Sequence, residues 1–558
     1  MPANLGYIIP KFVAFFQIEL LERRLGGRMM ETLSTDVVVL GSGLAGLMAA
    51  LTIREDGGDV VLVTEATTTS ASYRSGGNFR APGADYTAEQ HFLDTIAAGG
   101  YLSQRSLAKA LAEDAASVYG RVRKAGVAVD STETGFRVAP DGQRPGERLV
   151  GGLLTAAATA EVRIIEAFGW ELLQAMDGSV SGLLAFDARR NDWLAISARA
   201  VILAAGGAAG AYLWTDNSPD ATGDSLAMAF RAGAVLADME FVQFWPLTVA
   251  ETPVCGLLPL RDLARARLLV RGGPDITEKV GLSALAGGQG APALVARRVY
   301  EEMVRPDEES DLSLELISRS SAGAGAARQR AAKDPLPVVP AAHHTIGGVV
   351  CGDHGQTRVQ GLFVAGEAAA GTHGADRASG NGLTEAAVLG RRAGLLAVAS
   401  AGANSAARPA VGDLERQARE RVRRTMSFLE PASPGSLTPE ETTSRIRRVM
   451  WRHAALVRTR EGLDAAQSAI NKIKRSLPLA ADLGDGGDVR SALKTLNLLL
   501  VGEAIARSAR YRKESRGVHY RSDFPDRDDA EWLRHVRVKL LSGEMSLDTS
   551  QGLELMGP

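Results

Sequence analysis

An α/β protein built on a parallel sheet is predicted by three features of residues 36–65. Asp36-Val-Val-Val-Leu40 is a short β-branched run, the pattern of a strand buried on both faces. It leads into a glycine-rich turn, Gly41-Ser-Gly43-Leu44-Ala45-Gly46, and then into Leu47-Met-Ala-Ala-Leu-Thr-Ile53, which reads as a helix. A second buried strand, Asp59-Val-Val-Leu-Val-Thr64, follows and ends at Glu65.

Strand, GxGxxG turn, helix, strand and acid in this order make a dinucleotide-binding fingerprint of the Rossmann type. Gly41 makes the tight turn, Gly43 admits a pyrophosphate to the backbone, and Gly46 lets helix and strand pack closely. Free N–H groups at the helix start, with their partial positive charge, suit the phosphates. Glu65 stands where a carboxylate accepts hydrogen bonds from ribose hydroxyls. The motif starts within the first fifty residues of a long chain, which favours FAD over NAD.

The rest of the composition narrows the function. At roughly 100–200 residues per domain, 558 residues make several domains. A hydrophobic fraction of 45% excludes a disordered chain. Lys and Arg total 63 against 65 Asp and Glu, so no basic field exists to hold nucleic acid. The two cysteines, Cys255 and Cys351, fit neither a disulfide framework nor a CxxC metal or iron–sulfur site. A cytoplasmic location is expected, with attachment at the membrane periphery as the alternative; no metal is expected. The apolar run Tyr7 to Ile18 is interrupted by Pro10 and Lys11 and is too short for a bilayer, which takes about 20 apolar residues. It reads either as an upstream extension before Met29 or Met30, or as an amphipathic helix resting on a membrane or partner.

Further along, Ala198 to Ala205 reads as another buried strand, closed by Gly206-Gly207. Asp224, at a helix start in Ala221-Thr-Gly-Asp224, serves either as a cap or as an acceptor for the cofactor. Residues 304–334 turn acidic and then low in complexity, the composition of a surface excursion. Gly361 to Glu367 is strand then turn, and Gly380-Asn-Gly382-Leu383 opens a helix with glycines at its mouth. Beyond Pro409 the pattern is charged helices. Thr438-Pro439-Glu-Glu441 forms a capping box, and His453 falls on the apolar face that follows. The arginine-rich stretch Arg416 to Arg424, interleaved with Glu415 and Glu420, reads as a solvated helix face.

These segments, with Tyr73-Arg-Ser75-Gly76-Gly77, Asp238 to Phe244, His343-His-Thr-Ile-Gly-Gly348, His373 to Leu383 and Lys513 to Asp529, resemble one family. It comprises the flavoprotein subunits of succinate dehydrogenase and fumarate reductase together with L-aspartate oxidase. The resemblance implies an FAD-binding domain in two pieces (34–249 and 342–408), following an N-terminal extension (1–33). An α+β capping domain (250–341) is inserted between the pieces, and a helical C-terminal domain (409–558) ends the chain. It also implies FAD contacts at Ser75, Gly76, Gly77, Ala205, Gly206, Asp224, Glu367, Gly382 and Leu383, beside the residues of the first motif. Ser70 falls where membrane-bound members carry the histidine that bonds FAD, so the implied FAD is non-covalent.

The substrate residues depart from the pattern. Arg377 matches the arginine that clamps a carboxylate, for which a guanidinium fork is suited. His343 matches a substrate-binding histidine and is a candidate acid or base, histidine being the side chain that titrates near physiological pH. Trp245 stands where the dicarboxylate enzymes have histidine, and either walls the substrate or fills core. No arginine stands near Pro292, where the resemblance places the proton-transferring one; Arg261, Arg265, Arg297 and Arg298 are the nearby replacements. The expected function is FAD-dependent hydride transfer with a small organic acid other than succinate or fumarate. The alternatives are an orthodox L-aspartate oxidase or fumarate reductase, and a catalytically silent electron-transfer flavoprotein. Electrons would leave to oxygen, to a quinone, or to a separate iron–sulfur or other electron-transfer protein.

Overall fold

Val37, Val38 and Val39 have no exposed surface, and the reason is visible in the strand order. A computed structural model describes residues 30–250, 254–264, 266–270, 274–286, 290–304, 314–318, 336–403, 411–429 and 436–553. In it Val37–Leu40 is the middle strand of a five-stranded sheet. Val60–Thr64 and Arg163–Glu166 lie to one side, Ala200–Leu203 and Leu362–Val364 to the other, all parallel. Val38 therefore pairs with Val61 on one side and Val201 on the other. The chain builds outward in one direction from Val37–Leu40, then returns to build in the other. The switch leaves a crevice at the carboxyl ends of Val37–Leu40 and Ala200–Leu203, where ligands of such sheets bind.

The second piece of this domain, expected from residue 342 onward, returns as the edge strand Leu362–Val364 and the helix Asn381–Ala403. That helix packs on Leu44–Glu55, the helix of the glycine motif. The approach is so close that a Cβ added at Gly390 would stand 2.3 Å from the Ala45 carbonyl oxygen. Small residues on both helices permit this contact.

At the junctions of the two pieces with the inserted segment, Val242–Val249 and Leu336–Thr345 pair antiparallel within another five-stranded sheet. Leu247, Leu268, Val280, Val295, Val299 and Val338 form its separate core beneath the helix Ala291–Met303. Beyond it come the helices Val411–Met426, Pro439–Ala454, Arg460–Arg475 and Gly486–Tyr511. The Thr438 capping box is present: Thr438 Oγ1 accepts from the Glu441 N–H, and Glu441 Oε2 accepts from that of Thr438, both at 3.2 Å. The helical region closes with a hairpin absent from the sequence reading. Its strand His535–Leu541 pairs with Leu236–Ala237 and so sews the end of the chain to the first domain. Among the described residues no helix is long and apolar enough to cross a membrane. Residues 1–29, Arg265 and most of the 304–334 excursion lie outside the described residues.

Candidate active site

The crevice at the switch point opens into an elongated cleft enclosing about 1850 Å³, part of it open to solvent. At the glycine turn, Gly41 has φ +106°, and a Cβ there would stand 2.4 Å from the Ala204 carbonyl oxygen. Only glycine fits both constraints. Gly46 does not line the cleft; an added Cβ would stand 1.8 Å from the Gly41 carbonyl oxygen, so its role is packing. Gly43 and Gly206 do line the cleft, and neither is crowded by protein. A Cβ at Gly43 would meet only Ser70 and Ser72 side chains, at 3.6 Å, and one at Gly206 would meet nothing within 4 Å. Leu44, Ala45, Gly76, Gly77 and Ala205 complete this part of the wall. Ser70 caps the short helix Ala71–Arg74, its Oγ accepting from the Tyr73 N–H at 3.2 Å, while Ser75 Oγ donates to the Ser72 carbonyl.

Glu65 closes one end. Its Oε2 accepts from Lys494 Nζ at 2.6 Å, whereas its Oε1 is buried without a hydrogen-bond partner. Lys494 also lies 3.4 Å from Asp224 Oδ2. Burial works against the Lys494 ammonium, but Asp224 and Glu65 outweigh it and push its pKa up. Asp224 Oδ1 accepts from Thr222 Oγ1 at 2.8 Å and Asn497 Nδ2 at 2.7 Å. It makes no side-chain cap; the cap position belongs to Gly223. Lys494 and Asn497 were missed in the sequence. The available signal was a lysine within the apolar run Leu493 to Leu500, since a charge buried there requires a partner.

The other end is built from distant side chains. Arg377 is embedded in the cleft wall and its Nη2 donates to Gln243 Oε1 at 2.9 Å. Gln243 Nε2 in turn donates to Asp376 Oδ1 at 2.8 Å, and burial pushes the Asp376 carboxyl up to about 6. Burial likewise pushes Glu367 up to about 7, against the Thr345 N–H bonded to its Oε1 and the nearby Arg377. Burial and Arg377 hold His344 well below the ordinary histidine range. Gly382 and Leu383, at the start of Asn381–Ala403, lie beside Arg377. Behind them His373 Nε2 is 2.9 Å from Glu385 Oε2.

His343 lines the cleft with its Nδ1 2.7 Å from Asp216 Oδ2. The Trp245 ring lies 5.0 Å from the imidazole, and its Nε1 donates to the Leu258 carbonyl at 2.8 Å. Trp245 thus offers the cleft only its apolar face. Neither of the two replacement arginines with described side chains lines the cleft. Arg297 lies over Tyr520, 3.9 Å from the ring centroid, in a neighbouring cavity that also contains Ala293 and Asp376. Arg298 reaches toward Gly281. The Arg261 side chain and Arg265 lie outside the described residues. Arg74, quoted in the sequence only as part of a motif, does line the cleft and interacts electrostatically with Asp216. Asp216 and Gln243 were also missed; each acquires meaning only through a partner far away in the chain.

FAD fits this cleft. The clearance at Gly43 and Gly206 leaves room for a phosphate chain against backbone, and Glu65 Oε1, which makes no hydrogen bond and lies 3.6 Å from Arg490 Nη1, can accept from a ribose hydroxyl.

Residues 36–258 and 308–383 match the model of an FAD binding domain, and residues 443–551 match the C-terminal region of fumarate reductase flavoprotein. A fumarate reductase (CoM/CoB) subunit from Methanothermobacter marburgensis is 29% identical, covering 91% of this chain and 97% of its own. L-aspartate oxidase of Mycobacterium leprae is 32% identical, covering 94% and 98%. The FrdA chain of E. coli quinol fumarate reductase shares the fold, with TM-score 0.82 at 23% identity over 95% of this chain and 98% of that one. One chain of the Mycobacterium smegmatis Sdh1 complex gives 0.80 at 25% identity over 94% and 95%.

Proposed function

Because this chain belongs to the family of fumarate reductase and succinate dehydrogenase flavoproteins and L-aspartate oxidase, and is an FAD-dependent oxidoreductase, we propose a small organic acid other than succinate or fumarate as its substrate. The observation that carries the proposal is the makeup of the cleft's far end. Arg377 and His343 both line the cleft, but the apolar ring of Trp245 packs beside His343, and Arg297 lies in another cavity.

When bound, FAD supplies or accepts a hydride. The glycine turn and Glu65 would hold its pyrophosphate and ribose, with Gly76, Gly77, Gly382 and Leu383 along its ring. Ser70 carries no imidazole for a covalent link, so the FAD is held non-covalently. Arg377 binds one substrate carboxylate through the N–H groups that Gln243 leaves free. His343 gives or takes the proton at the reacting atoms. Trp245 excludes water and favours a flatter or larger substrate than a four-carbon diacid. The electron partner is a separate iron–sulfur or other electron-transfer protein, or a small oxidant, because Cys255 and Cys351 are both buried single thiols.

The test is an anaerobic flavin-bleaching screen with organic acids, amino acids and sulfur compounds, beside fumarate reduction and aspartate oxidation assays. Turnover of fumarate or aspartate at the rate of ordinary family members overturns the altered substrate. One observation favours that orthodox reading: Arg74 places a second guanidinium in the cleft. A flavin that no acid reduces or reoxidises points instead to a silent electron-transfer role.

A further inference from the structure

We propose that Asp216 is a positioning residue that fixes the tautomer and charge of His343, making it the acid–base group of the cleft. The inference rests on the hydride chemistry above, but the imidazole tautomer can be read without any turnover.

An ionised carboxylate only accepts hydrogen bonds, so the 2.7 Å contact to Asp216 Oδ2 places the ring proton on Nδ1. Nε2 is left as the working atom of a side chain that keeps 22% of its surface exposed in the cleft wall. Both partners are held by their neighbours. Thr215 pairs with Ala342 in a parallel bridge, and the Ala342 carbonyl accepts from the Asp216 N–H at 3.3 Å and from Thr215 Oγ1 at 2.9 Å. Asn217 Nδ2 donates to the His343 carbonyl at 2.6 Å and to Asp216 Oδ1 at 3.3 Å. The segment before Asp224 is thereby clamped to the strand carrying His343, and the Trp245 ring shields one side of the imidazole.

In the reducing direction, FAD when bound would supply the hydride, and His343 would supply the proton to the other atom of the substrate's double bond. The Nε2–H bond of the imidazolium breaks, a bond from hydrogen to substrate forms, and the neutral ring keeps its Nδ1 proton on Asp216. Oxidation runs the same transfer backward, with Nε2 as the base. Asp216 stabilises the charged ring throughout. The other charged or titratable groups along this wall are Arg377, Arg74, Glu367 and His344. The two guanidiniums oppose a second positive charge, which makes the Asp216 carboxylate the group that permits it.

The experiment uses FAD-loaded protein with ¹⁵N-labelled histidine. The signal among the eight histidines that is lost in His343→Gln identifies the ring. In the wild type the neutral ring is expected with hydrogen on Nδ1. In Asp216→Asn it is expected to shift toward the Nε2–H form, because an amide donates where the carboxylate accepted. With the acid that reoxidises the flavin fastest, Asp216→Asn is expected to lower kcat by about 100-fold with KM within about 3-fold. Asp216→Glu is expected to restore part of the rate and the Nδ1–H tautomer. A wild-type ring protonated at Nε2 overturns the proposal, as does an Asp216→Asn variant with unchanged rate and unchanged tautomer. If no acid reacts with the flavin, the hydride reading fails and the wild-type tautomer alone decides the role of Asp216.

Discussion

The two ends of the cleft are made differently. The dinucleotide end is mostly backbone: Gly41, Gly43, Gly46 and Gly206 act by lacking a side chain, and three of them fall within six residues of one another. The substrate end is made of side chains from separate segments: Asp216, Gln243 and Trp245 come from one part of the chain and His343 and Arg377 from another, and the Gln243–Asp376 and Asp216–His343 bonds join residues 133 and 127 positions apart. A cofactor shared by many enzymes can be bound by a turn whose geometry stays fixed. A substrate that differs between relatives calls for parts that can be exchanged singly.

If the ends are separable in this way, damage to one should spare the other. Arg377→Met should lower kcat/KM by about 10³-fold, about 4 kcal/mol of lost carboxylate binding, while the FAD content of the purified protein stays at the wild-type level. A parallel loss of FAD would break the comparison. Lys494→Met removes the ammonium that bridges Glu65 and Asp224. Leaving these buried carboxylates without it should cost about 3–5 kcal/mol, read as a drop in the midpoint of denaturant unfolding and weaker FAD retention. Gly46→Ala forces the helix away from the Gly41 carbonyl. About 1–3 kcal/mol should be lost, with FAD released on gel filtration, and a variant that keeps both stability and FAD would remove the packing role assigned to Gly46.

The smallest effect sharpens the substrate end. Glu367 is pushed up to about 7 by burial, so the folded state holds its proton more tightly than the unfolded chain, whose carboxyl has a pKa of about 4.3. Its contribution to stability is present below about pH 4.3 and lost as the pH rises through about 7. The Tm of E367Q minus that of the wild type should therefore grow more positive between those values. A difference independent of pH would place the Glu367 titration elsewhere.

Legibility in the sequence follows the same division. The parallel strands, the glycine turn, the helix after Asn381 and the Thr438 capping box were all readable, because each depends on neighbours within a few residues. The family resemblance extended this to the two-piece domain and offered Arg377 and His343 as candidates, both of which line the cleft. Arg74 was on view but had no stated role. Asp216, Lys494 and Asn497 could not be assigned, because an aspartate in a loop or a lysine in a helix acquires chemistry only from what the fold brings to it. The C-terminal hairpin escaped for a related reason: its pairing with Leu236–Ala237 is decided by a strand of two residues.

The Lys494–Glu65 bond joins residues 429 positions apart. Glu65 emerges early from the ribosome, and its counter-charge is among the last parts of the chain to be made. The nascent first domain therefore carries Glu65 and Asp224 in water, without the cation that lets them be buried together. The dinucleotide pocket acquires its counter-charge only when the helix Gly486–Tyr511 docks, so folding of the first domain's cofactor site depends on a segment made long after it.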